Sequence, residues 1–249
     1  MKNADMINDG INTTGMSLVN PIMVALDVDS ADECVRLADA LKGKVGAFKI
    51  GPRLNVRYGT ELISRLARSA PVFVDNKYLD IPSTMEGAVR ATFESGATFT
   101  TIHAWAGREA LRRLAEVEKE LNRKRPFKIL VVTILTSFSP ETLPPGMTNR
   151  SIADQVSALG DMALAEGLSG LVCSSQEVQD LRAKSSSAFL VTPGIRLPSG
   201  DPGDQKRIET PAEAMRLGSS ALVIGRPIYE AKDPLATVEQ ILETLKGTR

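Results

Sequence analysis

From residue 21 onward, short apolar runs rich in β-branched residues alternate with longer stretches of helical periodicity. The runs are PIMVALDV (21–28), VGAFKIG (45–51), PVFVDNK (71–77), ATFTTIH (97–103), FKILVVTILT (127–136), SGLVCSS (169–175), SAFLVTPG (187–194) and SALVIGR (220–226). Several are apolar for most of their length, the pattern of strands buried on both faces in a parallel sheet. The stretches between them carry helix signals. Ser30-Ala-Asp-Glu33 reads as a capping box ahead of Cys34, Val35, Ala38 and Leu41 at helical spacing. Thr210-Pro211-Ala-Glu213 is a second, with proline at the first helical position. Asp233-Pro234 opens a last helix whose Val238, Ile241, Leu242 and Leu245 form one apolar stripe, and Gly218 stops the helix before the last strand. Strand–helix cycles repeated in this way predict an α/β fold, a single (β/α)8 TIM barrel over residues 21–249. An open doubly wound sheet is the alternative, weakened as a dinucleotide binder because no Gly-x-Gly-x-x-Gly follows the first strand. Residues 1–20 are polar, lack the apolar core of a signal peptide, and read as a flexible N-terminal extension.

Composition narrows the function. Thirty Lys and Arg balance thirty Asp and Glu in 249 residues, which argues against a nucleic-acid binder or an acidic-membrane binder. No apolar run reaches the roughly 18–20 residues of a membrane span. The two cysteines, Cys34 and Cys173, cannot form a disulfide framework, both fall on core positions, and a reducing, cytoplasmic location follows. A single histidine, His103, excludes multi-histidine metal sites.

In a barrel, catalytic residues stand at the carboxyl ends of the strands. The polar residues collect there: Asp27 on strand 1, Lys49 on strand 2, Asp75 and Lys77 on strand 3, His103 on strand 4, Thr136 on strand 5 and Arg226 on strand 8. Each alone could be a salt-bridged rim residue, but charge at the ends of so many buried strands is costly unless used. For His103 the plain reading, a hydrogen-bonded strand-end residue, is preferred. The densest cluster is Asp75-Asn-Lys77-Tyr-Leu-Asp80-Ile-Pro-Ser-Thr84. Asp75 and Lys77 are two apart, so an extended strand points both to one side. A lysine ammonium held beside carboxylates is a proton donor. A fixed carboxylate repels a second one brought in by a substrate, by about 4 kcal/mol at 4 Å and an effective dielectric near 20. Such an arrangement expels CO2 and protonates the carbon left behind. The loops after strands 7 and 8, the usual phosphate site of this fold, carry Pro193-Gly-Ile-Arg196, Gly203-Asp-Gln205 and Gly225-Arg226. Glycine lets backbone N–H groups approach an anion, and arginine offers a planar fork. Two longer loops, Ser137–Asn149 and Ile195–Gln205, read as lids on this face.

These residues resemble the orotidine 5′-phosphate decarboxylase family from about Pro21 to Lys246. The resemblance rests on ALDV with Asp27, FKIG with Lys49, Asp-x-Lys-x-x-Asp-Ile-Pro-x-Thr at 75–84 and TIH with His103. It continues through VTILTS with Thr136, TPGIR with Arg196, GDQ with Gln205 and VIGR with Arg226. It implies decarboxylation of orotidine 5′-phosphate to UMP, the last step of pyrimidine nucleotide synthesis, with no metal or organic cofactor. By position it implies that Lys77 protonates C6, Asp75 sits against the substrate carboxylate, Lys49 bridges Asp75 and the ribose, and Asp27 binds a ribose hydroxyl. Thr136 would meet the base, and Arg196, Gln205, Gly225 and Arg226 would hold the phosphate. Asp80 and Thr84 would serve the neighbouring subunit's site, which implies a homodimer with shared active sites.

The chain departs from many bacterial members at Asn76, where they have leucine, and at Leu79, where they have histidine. Both are variable positions of the signature, with an expected effect on packing at the dimer interface. The nearest alternative is a metal-dependent sugar-phosphate lyase or decarboxylase of the same suprafamily. Those relatives place a metal-binding glutamate at the end of strand 2, where this chain has Lys49, and a lysine repels Mg2+. A catalytically silent nucleotide-binding barrel would keep the phosphate grip and lose the charged residues, yet Lys49, Asp75, Lys77 and Asp80 are all present.

Overall fold

The apolar runs become eight parallel strands, and they close. In the computed structural model, which describes residues 18–147, 149–196 and 209–247, the strands pair in sequence order and β8 pairs back onto β1. They are β1 (Ile22–Ala25), β2 (Ala47–Ile50), β3 (Val72–Tyr78), β4 (Phe99–His103), β5 (Lys128–Val132), β6 (Gly170–Val172), β7 (Phe189–Thr192) and β8 (Ala221–Ile224). The helices are α1 (Ala31–Ala40), α2 (Pro52–Leu66), α3 (Pro82–Glu94), α4 (Gly107–Asn122), α5 (Ile152–Ala165), α6 (Ser175–Lys184), α7 (Pro211–Arg216), the short α8 (Arg226–Tyr229) and α9 (Pro234–Thr244). The (β/α)8 barrel expected from the sequence is the observed fold, and the open sheet is not.

The helix signals act as read. Ser30, Thr210 and Asp233 cap α1, α7 and α9, accepting from the N–H groups of Glu33, Glu213 and Ala236. Gly218, at φ 108°, follows the end of α7: its N–H donates to Met215 O and that of Ser219 to Ala214 O, a Schellman turn that only glycine enters without strain. Cys34 and Cys173 are both buried in the core, as expected.

Two layers of core hold the barrel. Outside, side chains such as Val24, Ile50, Val74 and Ile224 pack under α1, α2 and α9, and Ile102, Ile129 and Leu171 pack under α4 and α5. Inside, alternate residues point to the axis: Met23, Ala47, Phe73, Phe99, Leu130, Phe189 and Ala221 fill the interior. The Phe99 ring stacks on Phe189 at 5.8 Å between centroids, and Phe73 meets Phe99 edge-on at 6.2 Å. Leu18 is buried in this inner cluster, and Asn20 bonds Lys44 O and Ile22 N. Residues 18–20, assigned above to the extension, therefore pack on the barrel.

Two strands differ from the sequence reading. The run 127–136 predicts one long strand, but β5 stops at Val132. Its neighbour β6 has three residues and ends at Val172, opposite Val132, so Thr133–Thr136 have no ladder to join on that side. Strand β3 is not regularly extended through its charged end: Lys77 lies at φ 49°, and the register against β4 jumps from Val74–Thr100 to Tyr78–Ile102. Asp75 and Lys77 meet because of this bulge rather than through simple alternation.

Candidate active site

The inward register that places Ala25, Ala47, Phe73 and Phe99 in the interior places Asp27, Lys49, Asp75 and Thr101 two residues later, at the mouth. Neighbouring strands thus raise a polar arc on an apolar floor. Above it opens a cavity of about 740 Å3. Its bottom is closed by Ala25, Phe73, Val132, Val172, Val191 and Val223.

Asp75 is the centre of the arc. Lys77 Nζ donates to both its oxygens, at 3.0 and 2.9 Å, and Lys49 Nζ lies 3.6 Å from Oδ2. Lys49 also lies 3.5 Å from Asp27 Oδ1. Thr101 Oγ1 donates to Asp75 Oδ1 at 2.8 Å and accepts the backbone N–H of Lys77 at 2.9 Å. Burial acts to raise the Asp75 pKa, but the two ammonium groups and the hydrogen bonds from Lys77 and Thr101 outweigh it and hold the carboxyl below its ordinary range. The result is a fixed anion, with an ammonium on one side pointing into a cavity.

The opposite wall is cationic and glycine-rich. Arg196 and Arg226 line it with Pro193, Gly194 and Gly225. Gly225 is the N-cap of α8 and brings no side chain there. Arg196 is nearly buried, its Nη1 donates to Ile195 O, and its backbone N–H donates to Glu209 O. A third wall, Ile134, Leu135, Thr136 and Ser137, comes from the segment that leaves β5. The cavity therefore offers carboxylate and ammonium at one end, arginines at the other and a partly apolar side, a shape suited to an anionic, planar-ringed ligand.

Of the residues singled out in the sequence, Asp27, Lys49, Asp75, Lys77, Thr136, Arg196, Gly225 and Arg226 all line this one cavity. Asp80 and Thr84 do not line it: both are exposed, and Asp80 Oδ1 accepts the N–H of Ile81 at 2.6 Å. Gln205, and most of the predicted Ile195–Gln205 lid, lie outside the described residues. His103 stays a strand-end residue, its Nδ1 accepting from the Trp105 N–H at 3.5 Å. Burial, then the Lys77 charge, lowers its pKa. Asn76, one of the two departures, faces away from the cavity. Its Nδ2 donates to the Tyr78 hydroxyl, which bonds Thr92 Oγ1 on α3, so the half-buried side chain is held within its own chain. Leu79, the other departure, is exposed.

Three site residues escape a sequence reading. Thr101 sits in a strand where threonine is an ordinary β-former. Arg53 and Tyr229 line the mouth from α2 and α8, and Arg53 donates to Asp27 O at 3.0 Å. Their place just beyond the carboxyl ends of strands 2 and 8 is the signal that could have found them. Among the described residues no group of three or more His, Cys, Asp or Glu side chains comes together to hold a metal ion.

Comparison with known proteins agrees with this geometry. The model of the orotidine 5′-phosphate decarboxylase / HUMPS family matches residues 20–241. The orotidine 5′-phosphate decarboxylase of Paramagnetospirillum magneticum is 39% identical over 231 residues, covering 90% of this chain and 97% of that protein. That of Novosphingobium aromaticivorans is 37% identical over 227 residues, covering 91% and 99%. Among solved structures, the orotidine 5′-phosphate decarboxylase of Lactobacillus acidophilus superposes with a TM-score of 0.79 at 33% identity, covering 91% of this chain and 99% of that one.

Proposed function

Since the chain belongs to the orotidine 5′-phosphate decarboxylase / HUMPS family, we propose that it converts orotidine 5′-phosphate to UMP and CO2 in pyrimidine biosynthesis, using its own side chains and no cofactor. The observation that carries this reading is Asp75, held as an anion by Lys49 and Lys77 at one end of a cavity whose other end carries Arg196 and Arg226. The substrate phosphate lies against the arginines and the Gly225 backbone, the ribose against Asp27 and Lys49, and the base against Thr136. The substrate carboxylate then faces Asp75. Their repulsion is largest before CO2 leaves and vanishes with it, so it lowers the barrier without weakening product binding. The bond from C6 to the carboxylate breaks, its electron pair stays on C6, and CO2 departs. The Lys77 ammonium gives a proton to C6, and the resulting amine regains one from water.

We extend the proposal to a homodimer with shared sites. Asp80 and Thr84 lie exposed beside Leu79 and Ile81, which are 56% and 64% exposed. Apolar side chains grouped at one rim are what a second copy would cover. In that dimer Asp80 reaches the partner's cavity.

Loss of the orotate absorbance band on incubation with orotidine 5′-phosphate in excess EDTA tests the activity. Turnover should persist after exhaustive chelation. Turnover abolished by EDTA and restored by Mg2+ would overturn the cofactor-free reading, and no turnover with or without Mg2+ would overturn the substrate assignment in favour of a sugar-phosphate enzyme of the family. The shared site is tested by mixing Lys77→Ala with Asp80→Ala under subunit exchange. A hybrid dimer gathers both defects in one site and leaves the other intact. Random pairing makes about half the dimers hybrids, so up to roughly a quarter of all sites recover. Hybrids that form by native mass spectrometry without a rise in activity would assign Asp80 to its own chain.

A further inference from the structure

We propose that Thr101 is a positioning residue that fixes Lys77 and Asp75 relative to one another through a single hydroxyl. The inference rests on the decarboxylase reading for its consequence, but not for its geometry. Opposite Thr101 the ladder is broken: Val74 pairs with Thr100 and Tyr78 with Ile102, so three residues of β3, Asp75, Asn76 and Lys77, stand against Thr101 alone. In that bulge Lys77 adopts φ 49°, the one described residue other than glycine in the left-handed region. A long side chain rarely settles there, so something must hold it.

Thr101 Oγ1 supplies the hold. It accepts the Lys77 N–H at 2.9 Å, a donor the bulge has taken out of the ladder. A hydroxyl has one proton, and with that acceptor role filled, the proton goes to Asp75 Oδ1 at 2.8 Å. One oxygen thus ties the backbone of the proton donor to the carboxylate beside it. Thr101 is 1% exposed and does not line the cavity, so it acts through its neighbours and touches no substrate. The outward side of the bulge is held separately: Asn76 Nδ2 donates to the Tyr78 hydroxyl, Tyr78 bonds Thr92 Oγ1, and Thr92 donates to Ala88 O. Thr101 is therefore the latch on the working side alone.

The test is Thr101→Val, which keeps the shape and removes the hydroxyl, set beside Thr101→Ser, which keeps the hydroxyl. Loss of the buried bridge should lower kcat of Thr101→Val about 10- to 100-fold. UMP binding, which needs no proton transfer, should change by no more than about threefold, and Thr101→Ser should return to within about threefold of wild-type kcat. The second readout is hydrogen exchange of the Lys77 amide by NMR. It should quicken at least about tenfold in Thr101→Val, with the Tyr78 amide as control, and slow again in Thr101→Ser. If Thr101→Val does not fold, the Ser and Ala variants differ by the one oxygen and carry the same comparison. An unchanged Lys77 amide overturns the bridge. Equal losses in turnover and in UMP affinity, or a Ser variant as impaired as Val, would make Thr101 merely structural. If the wild-type chain proves inactive on orotidine 5′-phosphate, the exchange measurement still reads the bridge, so the two readings fail separately.

Discussion

Each end of the barrel buries a lysine against a carboxylate, and the two pairs do opposite things. At the amino end, Lys128 Nζ of β5 lies 3.2 Å from Glu118 Oε1 of α4, with side chains 6% and 10% exposed. Ser169 Oγ accepts a second bond from Lys128, and the N–H of Ile129 donates to the other oxygen of Glu118. At the carboxyl end, Asp75 is about as buried, at 13%, but it faces two ammonium groups and a hydroxyl, and Lys77 remains 38% exposed toward the cavity. Burial wins at Glu118 and raises its pKa, despite Lys128 and the Ile129 N–H. At Asp75 burial loses to the surrounding cations and the pKa falls. Burial of charge is thus not what distinguishes a working group in this molecule. The distinction is an excess of cation around one carboxylate, together with an ammonium left open to a cavity rather than sealed by protein.

Removing the lysine from each pair breaks the comparison most sharply. Lys77→Ala takes away the proton donor proposed above, and turnover should fall by many orders of magnitude, since enzymes lower such barriers by up to about 23 kcal/mol. Its UMP affinity and melting temperature should move far less. Near-normal turnover by loss of the orotate band would end the assignment of Lys77. Lys128→Met should do the reverse. It leaves a buried carboxylate without its cation, a change that typically costs about 3–5 kcal/mol, with Glu118 recovering part of that by taking up a proton. Urea unfolding should show that loss, while kcat per folded molecule stays at the wild-type value. A fall in kcat without a fall in stability would mean that the amino-end pair reaches the site after all.

The two ends also differ in how much of them the sequence discloses. The strands were readable because a parallel sheet buried on both faces needs continuous apolar runs, and their polar ends gave Asp27, Lys49, Asp75 and Arg226 directly. The Glu118–Lys128 pair was not readable, because Lys128 sits inside the run FKILVVTILT and its partner lies on a helix whose facing side is set only by packing. The bulge at Lys77 left no local sign either: Asp-Asn-Lys contains no glycine, and the left-handed turn is imposed by Thr101 from the next strand. Arg53 and Tyr229 reach the cavity from α2 and α8, whose directions follow from closure of the barrel. Gly225 and Arg226 were legible because phosphate grips recur at that place in the fold. What the sequence conveyed was the order of chemistry along the strands; the contacts across strands came from the fold.

The opposite pKa shifts give the smallest and most direct test of the comparison. Asp75 has a folded pKa below its ordinary value of 3.8, so the unfolded chain binds the proton first as pH falls. Its ionised form contributes stability above that ordinary value, and the contribution is lost as pH drops toward the depressed folded value. Glu118 has a folded pKa above its ordinary value of 4.5, so the folded chain binds the proton first. Its contribution is fully present below 4.5 and is lost as pH rises through the raised folded value. Subtracting the unfolding free energy of Asp75→Asn from that of the wild type should therefore give a difference that shrinks on acidification below 3.8. The same subtraction for Glu118→Gln should give a difference that grows as pH is lowered toward 4.5. Urea unfolding across mildly acidic to neutral pH covers the Glu118 window, and continuing the series to lower pH covers that of Asp75. Two difference curves with the same slope would show that the cations around Asp75 do not outweigh its burial, and the physical contrast between the two ends of the barrel would collapse.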